Sequence, residues 1–231
     1  LFRNIIGKIN CGGNMRRYIL EEKIDVSYNA SSKARDDVTK FVCTYQSKDG
    51  LGYSVIGHNN KTNIHSNIKK VLIGVEAVKE LLLSLKKDDI LFIQSSFKIL
   101  RLVDAVKRII RFRTIYLIHD IDALRVSFND YDRVKETIDA LNKQDVVIAH
   151  NDKMIIELKR RGCTVPLVSL DIFDYFTERE RKEDRDKKMD RVCFAGNLNP
   201  KKTHFLYALD ESEIQINLNV YGKKEADFKR L

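Results

Sequence analysis

The stretch Ile90-Leu91-Phe92-Ile93-Gln94-Ser95-Ser96, followed by Ile99, Leu102, Val103, Val106 and Ile110 and then by Thr114-Ile115-Tyr116-Leu117-Ile118, decides the fold. Ile90 to Ile93 is a continuous apolar run behind Asp88-Asp89, which is how a strand buried on both faces reads. The five apolar residues that follow recur at helical spacing and lay one stripe along a helix. Thr114 to Ile118 is apolar again and reads as a second buried strand. Two buried strands joined by a helix form a parallel pair with a right-handed crossover.

The same alternation extends in both directions. Upstream, Tyr18 to Val26 reads as a strand, Ser32 to Tyr45 as a helix with Ser31 or Ser32 at its N-cap, and Tyr53 to Gly57 as a strand after the Asp49-Gly50 turn. His58 to Asn67 is polar and reads as loop. Val71, Val75, Val78, Leu82 and Leu85 then recur at alternating steps of four and three, predicting the buried face of a helix. Downstream, Asp132 to Asn142 reads as a helix, Val146 to Ala149 as a strand, Asp152 to Arg161 as a helix stopped by Gly162, and Val165 to Leu170 as a strand. The expected fold class is α/β, an open doubly wound parallel sheet of Rossmann-like type with helices on both faces.

Residues 178–190 carry charges of both signs and one apolar side chain, Met189, and are expected to be a solvated linker. Beyond it the strand signal resumes at Val192 to Ala195, followed by a Gly196-Asn197-Leu198-Asn199-Pro200 turn, a helix over Lys201 to Leu209, a strand over Ile214 to Tyr221 and the start of a helix at Glu225. The expected division is an upstream segment 1–14, an N-terminal Rossmann-like domain 15–177, the linker 178–190, and part of a second Rossmann-like domain over 191–231.

Composition agrees with this and excludes several classes. The chain has 231 residues, 43% hydrophobic, with two Pro and ten Gly, so disordered and collagen-like classes are set aside. The greasiest segment, Val71 to Leu85, is broken by Glu76, Lys79 and Glu80, so no membrane span is expected. The start lacks the continuous apolar core of a signal peptide. A cytoplasmic protein is expected, with peripheral contact at the inner face of a membrane and self-association left open. Cys11, Cys43, Cys163 and Cys193 lie far apart and read as free thiols. The net charge of +9 favours anionic partners. Its basic residues are spread through helices also rich in Glu and Asp, which argues against a nucleic-acid surface.

In an open parallel sheet the ligand crevice lies outside the carboxyl ends of the strands. Those ends carry Tyr28-Asn29-Ala30-Ser31-Ser32-Lys33, Gln94-Ser95-Ser96, His119-Asp120-Ile121-Asp122 and His150-Asn151-Asp152. His119-Asp120-Ile121-Asp122-Ala123-Leu124-Arg125 is the densest set. Its His and carboxylates can supply a general base. The structural alternative is that Asp120 or Asp122 caps a short helix and pairs with Arg125. His150-Asn151 is either a ligand contact or a helix cap, and Lys33 either faces an anionic or hydroxylated ligand or is an ordinary surface lysine. Phe194-Ala195-Gly196-Asn197-Leu198 runs from strand through a glycine turn toward a helix, a geometry that can hold a phosphate, with Lys201 and Lys202 in the first turn. Neither a Walker A sequence nor G-x-G-x-x-G occurs, and no metal-ligand spacing is seen.

Taken in order, Tyr28 to Asp37, Ile118 to Arg125, Ala149-His150-Asn151 with Met154, Leu158 and Gly162, and Phe194 to Leu198 resemble bacterial β-1,6-galactofuranosyltransferases and the related glucosyltransferases that extend surface glycans. The resemblance spans about Met15 to Tyr221. It implies a GT-B arrangement, two Rossmann-like domains facing across a cleft, with a second domain longer than residues 191–231, so that activity of these residues alone is left open. It also implies a metal-independent hexosyltransferase without a cofactor, taking a galactofuranose, galactose or glucose unit from a UDP-sugar to a glycan hydroxyl in cell-surface polysaccharide synthesis. On this reading Asp120 or His119 is the base. Asn29, Ser31, Lys33, Asp122, Arg125, His150 and Asn151 line the acceptor side, and Gly196, Asn197, Lys201 and Lys202 the donor side. The alternative is a noncatalytic module that binds a nucleotide or glycan.

Overall fold

The computed structural model describes residues 15–23, 30–47, 52–59, 67–94, 97–125, 130–171, 191–195, 200–208 and 217–221. The chain divides into two compact units, Leu1–Phe176 and Thr177–Leu231. The segment 1–14, the charged residues 178–190 and the helix expected from Glu225 lie outside the described residues.

The first unit contains β1 (Arg17–Lys23), α1 (Ala30–Ser47), β2 (Tyr53–Asn59), α2 (Asn67–Ser84), β3 (Ile90–Ile93), α3 (Phe97–Ile109), β4 (Arg113–Leu117), α4 (Asp122–Arg125), α5 (Tyr131–Asn142), β5 (Val146–Ala149), α6 (Asp152–Arg160) and β6 (Leu167–Ser169). Its six strands pair in parallel in the order β2-β1-β3-β4-β5-β6. The chain moves outward from β1 to β2, then recrosses to β3 and proceeds the other way. Right-handed crossovers in opposite directions put their helices on opposite faces. The two cores follow from this. Leu20, Leu91, Ile93, Tyr116, Ile118, Val147 and Ala149 face α2, α3, α5 and α6 through residues such as Leu81, Val103, Ile138 and Leu158. Their neighbours Ile19, Ile90, Phe92, Ile115, Leu117 and Ile148 face Val38 and Val42 of α1. Successive strand side chains point to opposite faces, and because both faces are covered the runs are apolar throughout.

Element ends are held by recognisable local chemistry. Asp130 caps α5 by accepting from Arg133 N at 3.1 Å. Gly162, at φ +93, ends α6: its N–H donates to Lys159 O at 3.0 Å, and Cys163 N donates to Leu158 O at 3.0 Å. That pair of bonds is a Schellman motif, and it brings buried Cys163 onto Leu158. Asp89, almost wholly buried, accepts from Arg16 N, from the Arg16 guanidinium at 2.7 Å and from Lys86 N at 2.8 Å, pinning the turn before β3.

Three sequence expectations are corrected. Helix α1 starts at Ala30, so Ser31 and Ser32 lie within its first turn and not at its cap. The polar segment from His58 is not all loop, since β2 continues to Asn59 and pairs with Lys23 of β1. The predicted stripe of α2 holds in part: Val78 and Leu85 pack in the core as expected, whereas Val75 and Leu82 do not. Ala77, Leu81 and Leu85 are 3%, 0% and 3% exposed, whereas Val75 is 60% and Leu82 37% exposed. Leu81-Leu82-Leu83 allows two stripes one position apart, and periodicity cannot choose between them. The small residues decide: Gly74 and Ala77 lie on the packed side, and a Cβ at Gly74 would stand 3.8 Å from Leu102 Cδ1 of α3.

The second unit contains β7 (Arg191–Ala195), α7 (Pro200–Tyr207) and β8 (Asn217–Tyr221), with β7 and β8 parallel. Proline suits the first position of a helix, where its missing N–H is not needed. Thr203 departs from helical geometry and kinks α7.

Candidate functional site

All six strands of the first sheet run the same way, so their carboxyl ends share one edge. The chain order reverses between β1 and β3, which is the switch point at which open parallel sheets hold their ligands. Gln94, the residue after β3, stands beside this point and is 3% exposed. Its Nε2 donates to Arg35 O at 3.0 Å and to Thr39 Oγ1 at 2.7 Å, both on α1. Its Oε1 lies 3.1 Å from Nε2 of His119, two residues past β4. His150, just past β5, places its Nε2 3.1 Å from the carbonyl oxygen of His119. One hydrogen-bonded line thus runs from α1 across the ends of β3, β4 and β5. It grips His119 by both side chain and backbone. Asp120, the next residue, is exposed at the same edge.

Burial is the largest influence on the His119 imidazole, followed by the positive charge of Arg35 and by His150; together they push it down to about 3. His119 is therefore neutral at neutral pH, and this sets the sign of a pH effect. The unfolded chain takes up this proton near pH 6.5, the folded chain only near 3. Between those values the unfolded state binds more protons, so stability falls as pH falls. From pH 7 to pH 5 the wild type should lose ~1–2 kcal/mol more than His119→Asn in urea unfolding. Equal losses would remove the assignment.

The other sequence candidates are distributed as follows. Lys33 pairs with the buried carboxylate of Asp37 at 2.7 Å, four residues on along α1, a contact that the strand-end reading did not foresee. Asn151 caps α6, its Oδ1 accepting from Met154 N at 2.9 Å, so the capping alternative accounts for it. Asp122 and Arg125 are the first and last residues of the short helix α4, and Ser31 lies in α1. The side chains of these three are outside the described residues, as is Asn29 altogether. In the second unit Lys201 and Lys202 fall in the first turn of α7, but their side chains, and Gly196 and Asn197, are not described. Among the described residues, no three His, Cys, Asp or Glu side chains cluster as a metal site requires. None of the described helices is long and apolar enough to cross a membrane.

The structure gives partners to Gln94, already noted at a strand end, and adds Arg35 and Thr39 to the set. Gln94 had a legible signal, since a polar residue directly after a wholly apolar strand must find partners when buried. Arg35 and Thr39 had none, because their part depends on α1 packing beside β3.

Over 102 residues the chain is 35% identical to the beta-1,6-galactofuranosyltransferase WbbI of Escherichia coli strain K12. That stretch is 43% of this chain and 29% of the relative, so the chain spans less than a third of the curated protein it matches. The family model "Glucosyltransferase 3-like, N-terminal domain" matches residues 16–172, nearly the whole of the first unit. The chain thus belongs to the glucosyltransferase 3-like family of glycosyltransferases, and its parallel sheet with the Gln94–His119–His150 edge lies within that family's N-terminal domain.

Proposed function

We propose that this protein transfers a hexosyl unit, galactofuranose, galactose or glucose, from a UDP-sugar to a glycan hydroxyl, in a GT-B enzyme whose first domain holds the acceptor. The observation that carries the reading is the placement of Asp120. Asp120 is an exposed residue on a backbone whose preceding residue is held at both side chain and carbonyl. A carboxylate so placed suits removal of a proton from an incoming hydroxyl. His119 is not assigned that task here, because its Nε2 is already engaged by Gln94 Oε1 at 3.1 Å.

In the proposed step Asp120 accepts the hydroxyl proton as the acceptor oxygen forms its bond to the anomeric carbon. The bond from that carbon to the diphosphate oxygen breaks, and UDP leaves with the electron pair. Backbone N–H groups near Gly196 and Asn197, with Lys201 and Lys202, are assigned to the charge that grows on the diphosphate. No metal is assigned a part in this step.

The test is UDP release by the full natural polypeptide, given UDP-galactofuranose, UDP-galactose or UDP-glucose with an oligosaccharide acceptor and EDTA. Turnover of one donor, with the sugar found on the acceptor, is the expected result. Binding of UDP or oligosaccharide without turnover would overturn transfer in favour of a noncatalytic binding module. Tight binding of duplex DNA that weakens steeply with salt would overturn both.

A further inference from the structure

We propose that Gln94 is a positioning residue that fixes the proton of His119 on Nε2, so that the neutral ring carries its one nitrogen lone pair on Nδ1. The partners of the Gln94 amide fix its orientation. A backbone carbonyl can only accept, so the group 3.0 Å from Arg35 O must be the NH2 of Gln94. The same NH2 reaches Thr39 Oγ1 at 2.7 Å, which uses its second hydrogen. The amide cannot turn over without setting Oε1 against Arg35 O. Oε1 is therefore the atom facing His119, and an amide oxygen can only accept. The His119 nitrogen 3.1 Å away must donate, which places a proton on Nε2.

The environment keeps a second proton off the ring. His119 is half-buried, and burial first, then the positive charge of Arg35, then His150 disfavour the charged ring. A neutral ring with its proton on Nε2 offers Nδ1 as an acceptor only. Fixing the tautomer sets which ring atom can donate and which can accept at this edge of the sheet, and its effect on turnover rests on the glycosyl-transfer reading. The tautomer itself does not. Gln94 acts through His119, and α1 acts through Gln94, so the orientation of a ring past β4 is set by the main chain of a helix that follows β1.

The experiment is long-range 1H–15N correlation of the histidine rings in the 15N-labelled chain, across pH, for wild type, Gln94→Leu and Gln94→Glu. In the wild type His119 should show the proton on Nε2 and stay neutral down to at least ~pH 5. In Gln94→Leu the signals should move toward a mixture of both tautomers. In Gln94→Glu the carboxylate beside Nε2 should raise the His119 titration midpoint by about two units or more. A proton on Nδ1 in the wild type would overturn the proposal, and that measurement needs no variant to fold. An unchanged tautomer and midpoint in folded variants would overturn it as well. In the full natural polypeptide Gln94→Leu should lower kcat roughly 10-fold or more with the donor KM little changed, and an unchanged kcat would remove the positioning role. If wild type turned over no donor, the transfer reading would fail while the tautomer result stood.

Discussion

Asp120→Asn in the full natural polypeptide is expected to lower kcat by roughly 10²-fold or more, with the donor KM within about a factor of two of wild type. The two side chains have nearly the same shape, and position 120 is exposed, so the folded structure has no cavity or clash to absorb. What changes is the ability to take a proton. An amide cannot accept the hydroxyl proton at neutral pH, so the loss falls on the step in which that proton moves. Denaturant unfolding of the variant should stay within about 0.5 kcal/mol of wild type, as for an exposed site, which separates lost chemistry from lost structure. Unchanged turnover would exclude Asp120 as the base. Comparable kcat losses with a matching loss of stability would show a structural role in its place.

The second large effect is on stability and separates two stripes of one helix. Leu81→Ala should destabilise the first unit by ~2–5 kcal/mol, because Leu81 is fully buried in the core that joins α2 to α3 and the sheet. Leu82→Ala, one position on and 37% exposed, should cost less than about 1 kcal/mol. The pair is compared by urea unfolding with equal slopes required of both. If Leu82→Ala proved the more damaging, the helix would present the face that a four-and-three spacing from Val71 predicts, and the packing described above would be wrong. The contrast is large for such a small displacement because one residue is 100° of helix rotation.

Much of the first unit was open to reading from the chain alone. Ile90 to Ile93 and Val146 to Ala149 are strands where an apolar run says they should be, and Asn151 with Gly162 brackets α6 as capping chemistry predicts. The family could be named from the ordered motifs, and the family model falls on residues 16–172, which hold all of those motifs but Phe194 to Leu198. Within the site, His119, Asp120 and His150 were legible because they follow apolar strands in a fold whose strand ends carry ligands. Lys33 and Asn151 were singled out by the same argument, yet what the geometry displays for them is an ion pair with Asp37 and a helix cap. Residue type and strand-end position do not distinguish a side chain that faces a ligand from one that secures its own helix.

Alone, the sequence determined the βα alternation and the buried parallel strands. These are local properties, written in apolar spacing, caps and glycine stops within a few residues of one another. Tertiary structure decided which stripe of α2 faces the sheet and which groups surround His119. Gln94 meets Arg35, Thr39 and His119 across 59, 55 and 25 positions of chain. Contacts so far apart depend on strand order and helix packing, which spacing along the chain does not encode.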